Sequence, residues 1–230
     1  MKFTQPAAAR EINRLRVLNL LLQEKESSRS EIARRLELNK PSTSEIVEQL
    51  LNDGLVVEAG KRETSTGRRP VAIALVPDAA LVLGVDMGSR NTSVALSDLR
   101  GNILRSERFP TTERPEVKEL CSQIIRILRK MAKLTTSPIL GVVVALDGIL
   151  SEDKRTLIRS DHWSWKDVPL AAIIEKNTSL RCFSLTLPKE GARRKHSSSQ
   201  VNARASSWPC SPTNFAILSH LSAPAWRSWK

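Results

Sequence analysis

Between Ser28 and Gly54 the chain places two helical stretches with only three residues between them, and that spacing leaves few folds open. Ser28-Arg29-Ser30-Glu31 has the Ser-x-x-Glu spacing of a capping box, backed by an apolar face of Ile32, Ala33 and Leu36. Glu37-Leu38-Asn39 is a tight break. Asn39 caps the next helix, whose first turn tolerates Pro41 because the leading N–H groups have no intrahelical acceptor. Thr43, Ile46, Val47, Leu50 and Leu51 then face inward, and Asp53-Gly54 ends the helix at a left-handed position.

Upstream, Ala7 to Glu26 contains no Gly or Pro, and Ile12, Leu15, Leu18 and Leu22 recur at steps of three and four, the stripe of a one-sided helix. Two short helices packed on a longer one make a helix-turn-helix, whose last helix fits the major groove of DNA. Downstream, Leu55-Val56-Val57-Glu58 and Val71-Ala72-Ile73-Ala74-Leu75 read as two strands around a polar, basic hairpin tip from Lys61 to Pro70. The pattern predicts a winged helix.

Its outward helix face carries Lys40, Ser42, Ser44, Glu45, Glu48 and Gln49. Lys40 and the serines, with N–H groups at the positive helix end, suit phosphate oxygens, while Glu45 or Gln49 suits a cytosine or adenine edge. Arg68 and Arg69 in the wing suit the adjacent minor groove or its phosphates. A solvated helix face and loop would carry the same residue types, so the consecutive elements carry more weight than any single side chain.

A second section follows. Ala80 to Asp86 is a buried-strand run, Ser93 to Asp98 a second strand and Ile103 to Phe109 a third, with turns at Met87–Thr92 and Asp98–Asn102. Glu116 to Leu134 reads as a helix by Leu120, Ile124, Ile127, Leu128 and Met131, and Pro138 to Leu146 as another apolar strand. The order is β-β-β-α-β. A strand-Asp86-x-Gly88 turn is able to hold phosphate through its N–H groups, although Asp-x-Gly is also an ordinary turn.

With these residues in place, the chain resembles transcriptional regulators of the ROK family, which comprises sugar-responsive repressors and sugar kinases. The resemblance rests on Thr66-Gly67-Arg68-Arg69-Pro70, Leu83-Gly84-Val85-Asp86-Met87-Gly88, Gly141 to Ile149, and Trp165-Lys166-Asp167-Val168-Pro169-Leu170. It implies an α+β protein, an N-terminal winged helix-turn-helix followed by a partial actin-like (ribonuclease H-like) ROK domain. The implied partners are a double-stranded DNA operator and, in intact relatives, a sugar effector and a second copy of the chain. The implied role is repression of carbohydrate genes, with no catalytic residue and no cofactor. A ROK sugar kinase is the alternative, disfavoured because no general base at a sugar hydroxyl and no complete nucleotide cleft is present.

The sequence also departs from that pattern. Kinases of the family carry two glycines after Asp-x-Gly where this chain has Ser89-Arg90-Asn91, which reduces Asp86 and Gly88 to the remnant of a phosphate loop. Asp147-Gly148 stands where the family usually has Pro-Gly. After Phe183 the family's Glu-Asn-Asp-type motif, zinc site and second lobe do not follow, and His162, His196 and His220 lie scattered relative to the cysteines, so no metal is expected. Charge marks the same boundary. Of the formal net charge of +12, residues 1–80 hold 13 basic and 11 acidic side chains, whereas residues 181–230 hold 8 and 1.

Reading each codon from Cys182 to Ser199 from its third base, suitable synonymous codons give N-x-A-K-x-x-x-x-A-E-A-Q-F, close to what the family has here. The expectation is a frame shift near Arg181, with a non-functional truncated product as an alternative reading, and three sections: residues 1–78, 79–183 and an irregular tail 184–230. A nucleic-acid or membrane arm is the rival reading of that tail. The partial domain is expected to leave an open sheet edge. Absence of a signal peptide, of an apolar run long enough for a membrane and of a C-x-x-C pair among Cys121, Cys182 and Cys210 predicts a cytoplasmic, reduced protein without membrane contact.

Overall fold

The computed structural model describes residues 6–61, 70–160 and 162–186. They fall into two compact units that meet in sequence at Ala79 and Ala80.

The first unit runs α1 (Pro6–Gln23), β1 (Ser27–Ser28), α2 (Arg29–Leu36), α3 (Lys40–Asn52), β2 (Val56–Lys61) and β3 (Val71–Leu75). The capping box forms as the spacing predicts: the Ser28 N–H donates to Glu31 Oε2 at 2.8 Å and the Glu31 N–H to Ser28 Oγ at 3.3 Å. Glu37 leaves α2 in the left-handed region, with φ 55°, which turns the chain sharply toward α3. Gly54, with φ 69°, ends α3, and Leu55 N–H bonds back to the Leu50 carbonyl at 3.0 Å. Ile46, Val47 and Leu50 are buried, each contributing about 1.5–3 kcal/mol by leaving water.

Two features differ from the sequence reading. The buried line of α1 is Val17, Leu18, Leu20 and Leu21, while Ile12 is 52% exposed and Leu15 and Leu22 are only half-buried. Polar anchors fix this rotation: Arg14 pairs with Asp53 at 2.7 Å, and Arg16 Nη2 donates to the Leu36 carbonyl, at the negative end of α2, at 2.7 Å. The wing sheet also gains a third strand, in the order β1-β3-β2, with Ser27 opposite Ile73 and Val56 opposite Leu75. A two-residue strand has no periodicity to read.

The second unit is built on a five-stranded mixed sheet: β4 (Leu81–Met87), β5 (Asn91–Asp98), β6 (Ile103–Pro110), β7 (Ile139–Leu146) and β11 (Cys182–Thr186), in the order β11-β7-β4-β5-β6. The β4-β5-β6 part is antiparallel, while β7 is parallel to β4 and β11 to β7. Central β4 is apolar along nearly its whole length because both its neighbours and both its faces are covered. Asp98, 6% exposed, makes the β5–β6 turn by accepting the Arg100 and Asn102 N–H groups, each at 2.9 Å.

Two helices, α4 (Val117–Ala132) and α5 (Leu170–Thr178), complete the core together with a small antiparallel sheet, β8 (Ile149–Leu150), β9 (Leu157–Ser160) and β10 (Trp165–Val168). Trp165 Nε1 donates to the Pro115 carbonyl at 2.8 Å and its ring packs 4.9 Å from that of Trp163.

The expected open sheet edge is closed as far as Ser184. On the side of β11 facing away from β7, the Cys182 N–H donates to Glu175 Oε1 at 3.0 Å and the Ser184 N–H to the Lys154 carbonyl at 3.0 Å. The loop between β8 and β9 and the side of α5 thus take the donors that a bare edge would offer to another strand.

Candidate nucleic-acid interface

The core of the first unit leaves one face of α3 free. Its buried residues, Thr43, Ile46, Val47 and Leu50, follow the three-and-four step of a helix, so Lys40, Ser44, Glu45, Glu48 and Gln49 are left exposed, with Ser42 half-buried beside them. The structure therefore brings the sequence-derived residues of this helix onto one surface. Arg68 and Arg69 lie outside the described residues.

The electrostatics of that surface differ from the expectation. Ser42 N–H donates to Asn39 Oδ1 at 2.8 Å, and Pro41 has no N–H. Only Lys40 keeps a free first-turn amide, because the cap takes the donor that a phosphate would use. Anion attraction at this end comes from the Lys40 ammonium and amide together with the serine hydroxyls. Glu45 pairs with Arg10 at 3.4 Å, with side chains 50% and 69% exposed, a contact weak enough for a ligand to exchange.

Another cation adjoins the motif. Arg34 of α2 is exposed and has no ion pair among the described residues, whereas Arg29 pairs with Glu58 and Arg35 with Glu24. Its position opposite Ile32 and Ala33 made it legible as an outward residue, but nothing in the sequence separates it from the paired arginines beside it.

In the second unit the Asp86-x-Gly88 turn is tight. The Gly88 N–H donates to the Asn91 carbonyl at 3.1 Å, and a Cβ at Gly88 would stand 2.7 Å from that oxygen. The glycine serves close backbone approach, and its amide is engaged within the turn instead of facing a phosphate. Asp147 is exposed in its turn, and among the described residues no three His, Cys, Asp or Glu side chains stand close enough to hold a metal. Ser160 Oγ, Trp163 Nε1 and Ser184 Oγ are buried with no hydrogen-bond partner among the described residues. Such an atom costs about 1–3 kcal/mol unless water or a ligand reaches it.

Residues 82–186 match the profile of the ROK family and residues 4–69 that of the MarR family. A xylose repressor of Caldicellulosiruptor bescii is 30% identical over 178 residues, covering 76% of this chain and 44% of that protein. Residues 82–186 thus form a ROK family segment. The DNA-binding transcriptional dual regulator NagC of Escherichia coli is 24% identical over 181 residues, covering 76% of this chain and 43% of NagC. A solved ROK family transcriptional regulator, described as a homologue of the E. coli MLC protein, shares its fold with a TM-score of 0.63 at 20% identity, over 78% of this chain and 46% of that one. The chain thus spans less than half the length of each of these relatives. Among the described residues no helix is long and apolar enough to cross a membrane.

Proposed function

We propose that this chain is a DNA-binding repressor of carbohydrate genes, which grips a double-stranded operator through α3 and the wing and is a regulator, not a sugar kinase. One observation carries the reading: a winged helix with an exposed, capped recognition helix stands in the same chain as a ROK unit, and relatives named as repressors align over 76% of the chain. Lys40, Ser42, Ser44 and Arg34 take phosphate positions, Glu45 and Gln49 face base edges, and Arg68 and Arg69 belong to the wing's contact. Phosphate contacts fix register, and the base-facing pair supplies discrimination.

Operator binding as a homo-oligomer, release by a sugar and a cytoplasmic location belong to the same reading. Release requires that sugar and DNA favour different arrangements of the protein. Because the ROK match ends at residue 186, the expected binding is weak and strongly salt-dependent, with little response to sugar. The test is fluorescence anisotropy on DNA from upstream of the gene, across a salt series, with and without xylose or N-acetylglucosamine. Binding indistinguishable from that of a random duplex overturns the repressor reading, and sugar-induced release overturns the expectation of a silent sensor.

A further inference from the structure

The most strongly one-sided helix of the second unit is α4, and its outer flank forms a groove with α5. The groove has a volume of about 1010 Å³. Its floor is Val117, Cys121, Ile125, Leu134 and Ile173, so the surface inside is mostly apolar. Leu134, 60% exposed, stands at one end. Burial pushes the Cys121 thiol up to about 11, which keeps that part of the floor uncharged at neutral pH. Lining residues occur along all 16 residues of α4, a length of about 24 Å at 1.5 Å per residue.

The rim has one sign. Lys118, Arg126, Arg129, Lys130 and Lys133 border the floor, and among the described residues no acidic one does. Lys130 pairs with Glu107 at 2.8 Å, and Arg129 donates through Nε to the Asn177 carbonyl at 2.6 Å and so keeps its charge unpaired. Lys118, Arg126 and Lys133 have no ion pair among the described residues. Four cations without an ion pair among the described residues, all on α4 or just past its end, therefore line the α4 wall of an apolar channel about four helical turns long.

We infer that the α4–α5 groove is the docking site of an amphipathic helix with an acidic edge. Length, apolar floor and the charge of one wall together specify this occupant: an apolar stripe at steps of three and four lies on Val117, Ile125 and Ile173, and Glu or Asp along the edge beside α4 meets its cations. Residues 187–230 are a poor match, since they carry seven basic and one acidic side chain. A second copy of a chain with net charge +12 would likewise bring like charge to the rim.

The test uses the full chain and a labelled synthetic helix of roughly 16 residues with Leu at the three-and-four steps and Glu elsewhere. Fluorescence anisotropy should show saturable binding that weakens as salt rises, and the same peptide with Lys in place of Glu should not bind. The double substitution Lys118→Glu with Arg126→Glu, at exposed positions that leave the core intact, should weaken binding about tenfold or more. Ser122→Trp, also exposed, should block the channel by volume alone, and circular dichroism checks that both variants fold. No binding up to about 100 μM peptide, a range in which even weak specific interfaces register, overturns the assignment. So does equal affinity for the Lys peptide, or affinity unchanged in both variants. Binding of phosphatidylglycerol vesicles through the same residues, with none of the peptide, overturns it in favour of a lipid surface.

Discussion

Arg155 meets the Glu175 carboxylate side-on, Nη1 to Oε1 at 3.1 Å and Nη2 to Oε2 at 2.5 Å. The same carboxylate accepts the Cys182 N–H, and the Arg155 carbonyl accepts the Ala171 N–H at 3.0 Å, so one pair joins the β8–β9 loop, both ends of α5 and the start of β11. The side chains are 39% and 26% exposed, which screens the ion pair and leaves the hydrogen bonds as its main contribution. Arg155→Ala or Glu175→Ala should each lower stability of the second unit by about 1–3 kcal/mol, because each leaves polar groups without partners. In a double-mutant cycle the two losses should not add, and additive losses would show that the residues act separately.

The pair also sets a pH dependence. Burial alone would raise the Glu175 carboxyl, but the hydrogen bonds from Arg155 and the Cys182 amide, with the guanidinium charge, outweigh it and hold the carboxyl below its usual range. A depressed carboxylate stabilises the fold fully above the unfolded value, about 4.3 for Glu, and that contribution disappears as pH falls through the folded value. Wild type should therefore melt above Glu175→Gln at neutral pH, with the gap closing through the acid range. A gap that stays constant down to about pH 3, well below the unfolded value, rejects the linkage.

How much of this was legible depended on the range of the interaction. The capping box, the Asn39 cap, the Gly54 stop and the β4-β5-β6 meander follow from neighbouring residues, and they form where the spacing puts them. The rotation of α1 did not follow, because Arg14 finds Asp53 39 residues away and that contact outweighs the visible stripe. Closure of the β11 edge was hidden for the same reason, since Lys154 and Glu175 come from separate elements. At the interface, residue identity was readable but donor availability was not. The sequence marks Asn39 as a cap, yet the cap's consequence, removal of the Ser42 N–H from any phosphate, emerges only when both roles fall on the same atom.

Ser28 has two tasks, as cap of α2 and as partner of Ala72 in β1. Ser28→Ala deletes only the first, since the strand uses backbone. The expected loss is about 1 kcal/mol in chemical denaturation of the first unit, the usual effect of removing a serine cap. Ser28→Asp should recover most of it, because a carboxylate also accepts at that position and suits the positive helix end. Failure of Asp to rescue would place the importance of Ser28 in its close packing against β3.

The ROK match and β11 both extend to residue 186, which moves the expected change of frame from near Arg181 to the end of that strand. Read from the third base of each codon between Leu185 and Ser198, the coding DNA should give a continuation of the type N-x-A-K-x-x-x-x-A-E-A-Q-F. Sequencing an independent clone checks this directly. An intact frame whose alternative reading shows no such continuation rejects it and restores the basic segment after residue 186 as part of the working protein.

The roles assigned on α3 predict separable effects on DNA. Lys40→Ala and Arg34→Ala remove phosphate contacts, so each should weaken binding to operator and random duplex alike and reduce the slope of log affinity against log salt by about 1. Gln49→Ala should instead cost about 1–3 kcal/mol on the operator with little effect on random DNA, because an amide reads a base edge by paired hydrogen bonds. Glu45→Ala removes the pairing partner of Arg10 as well as a base contact. It should relax specificity while raising non-specific affinity, since a carboxylate near phosphates repels them and the freed arginine attracts them. If Gln49→Ala and Lys40→Ala give the same pattern, α3 is docked on the backbone and a different element reads the sequence.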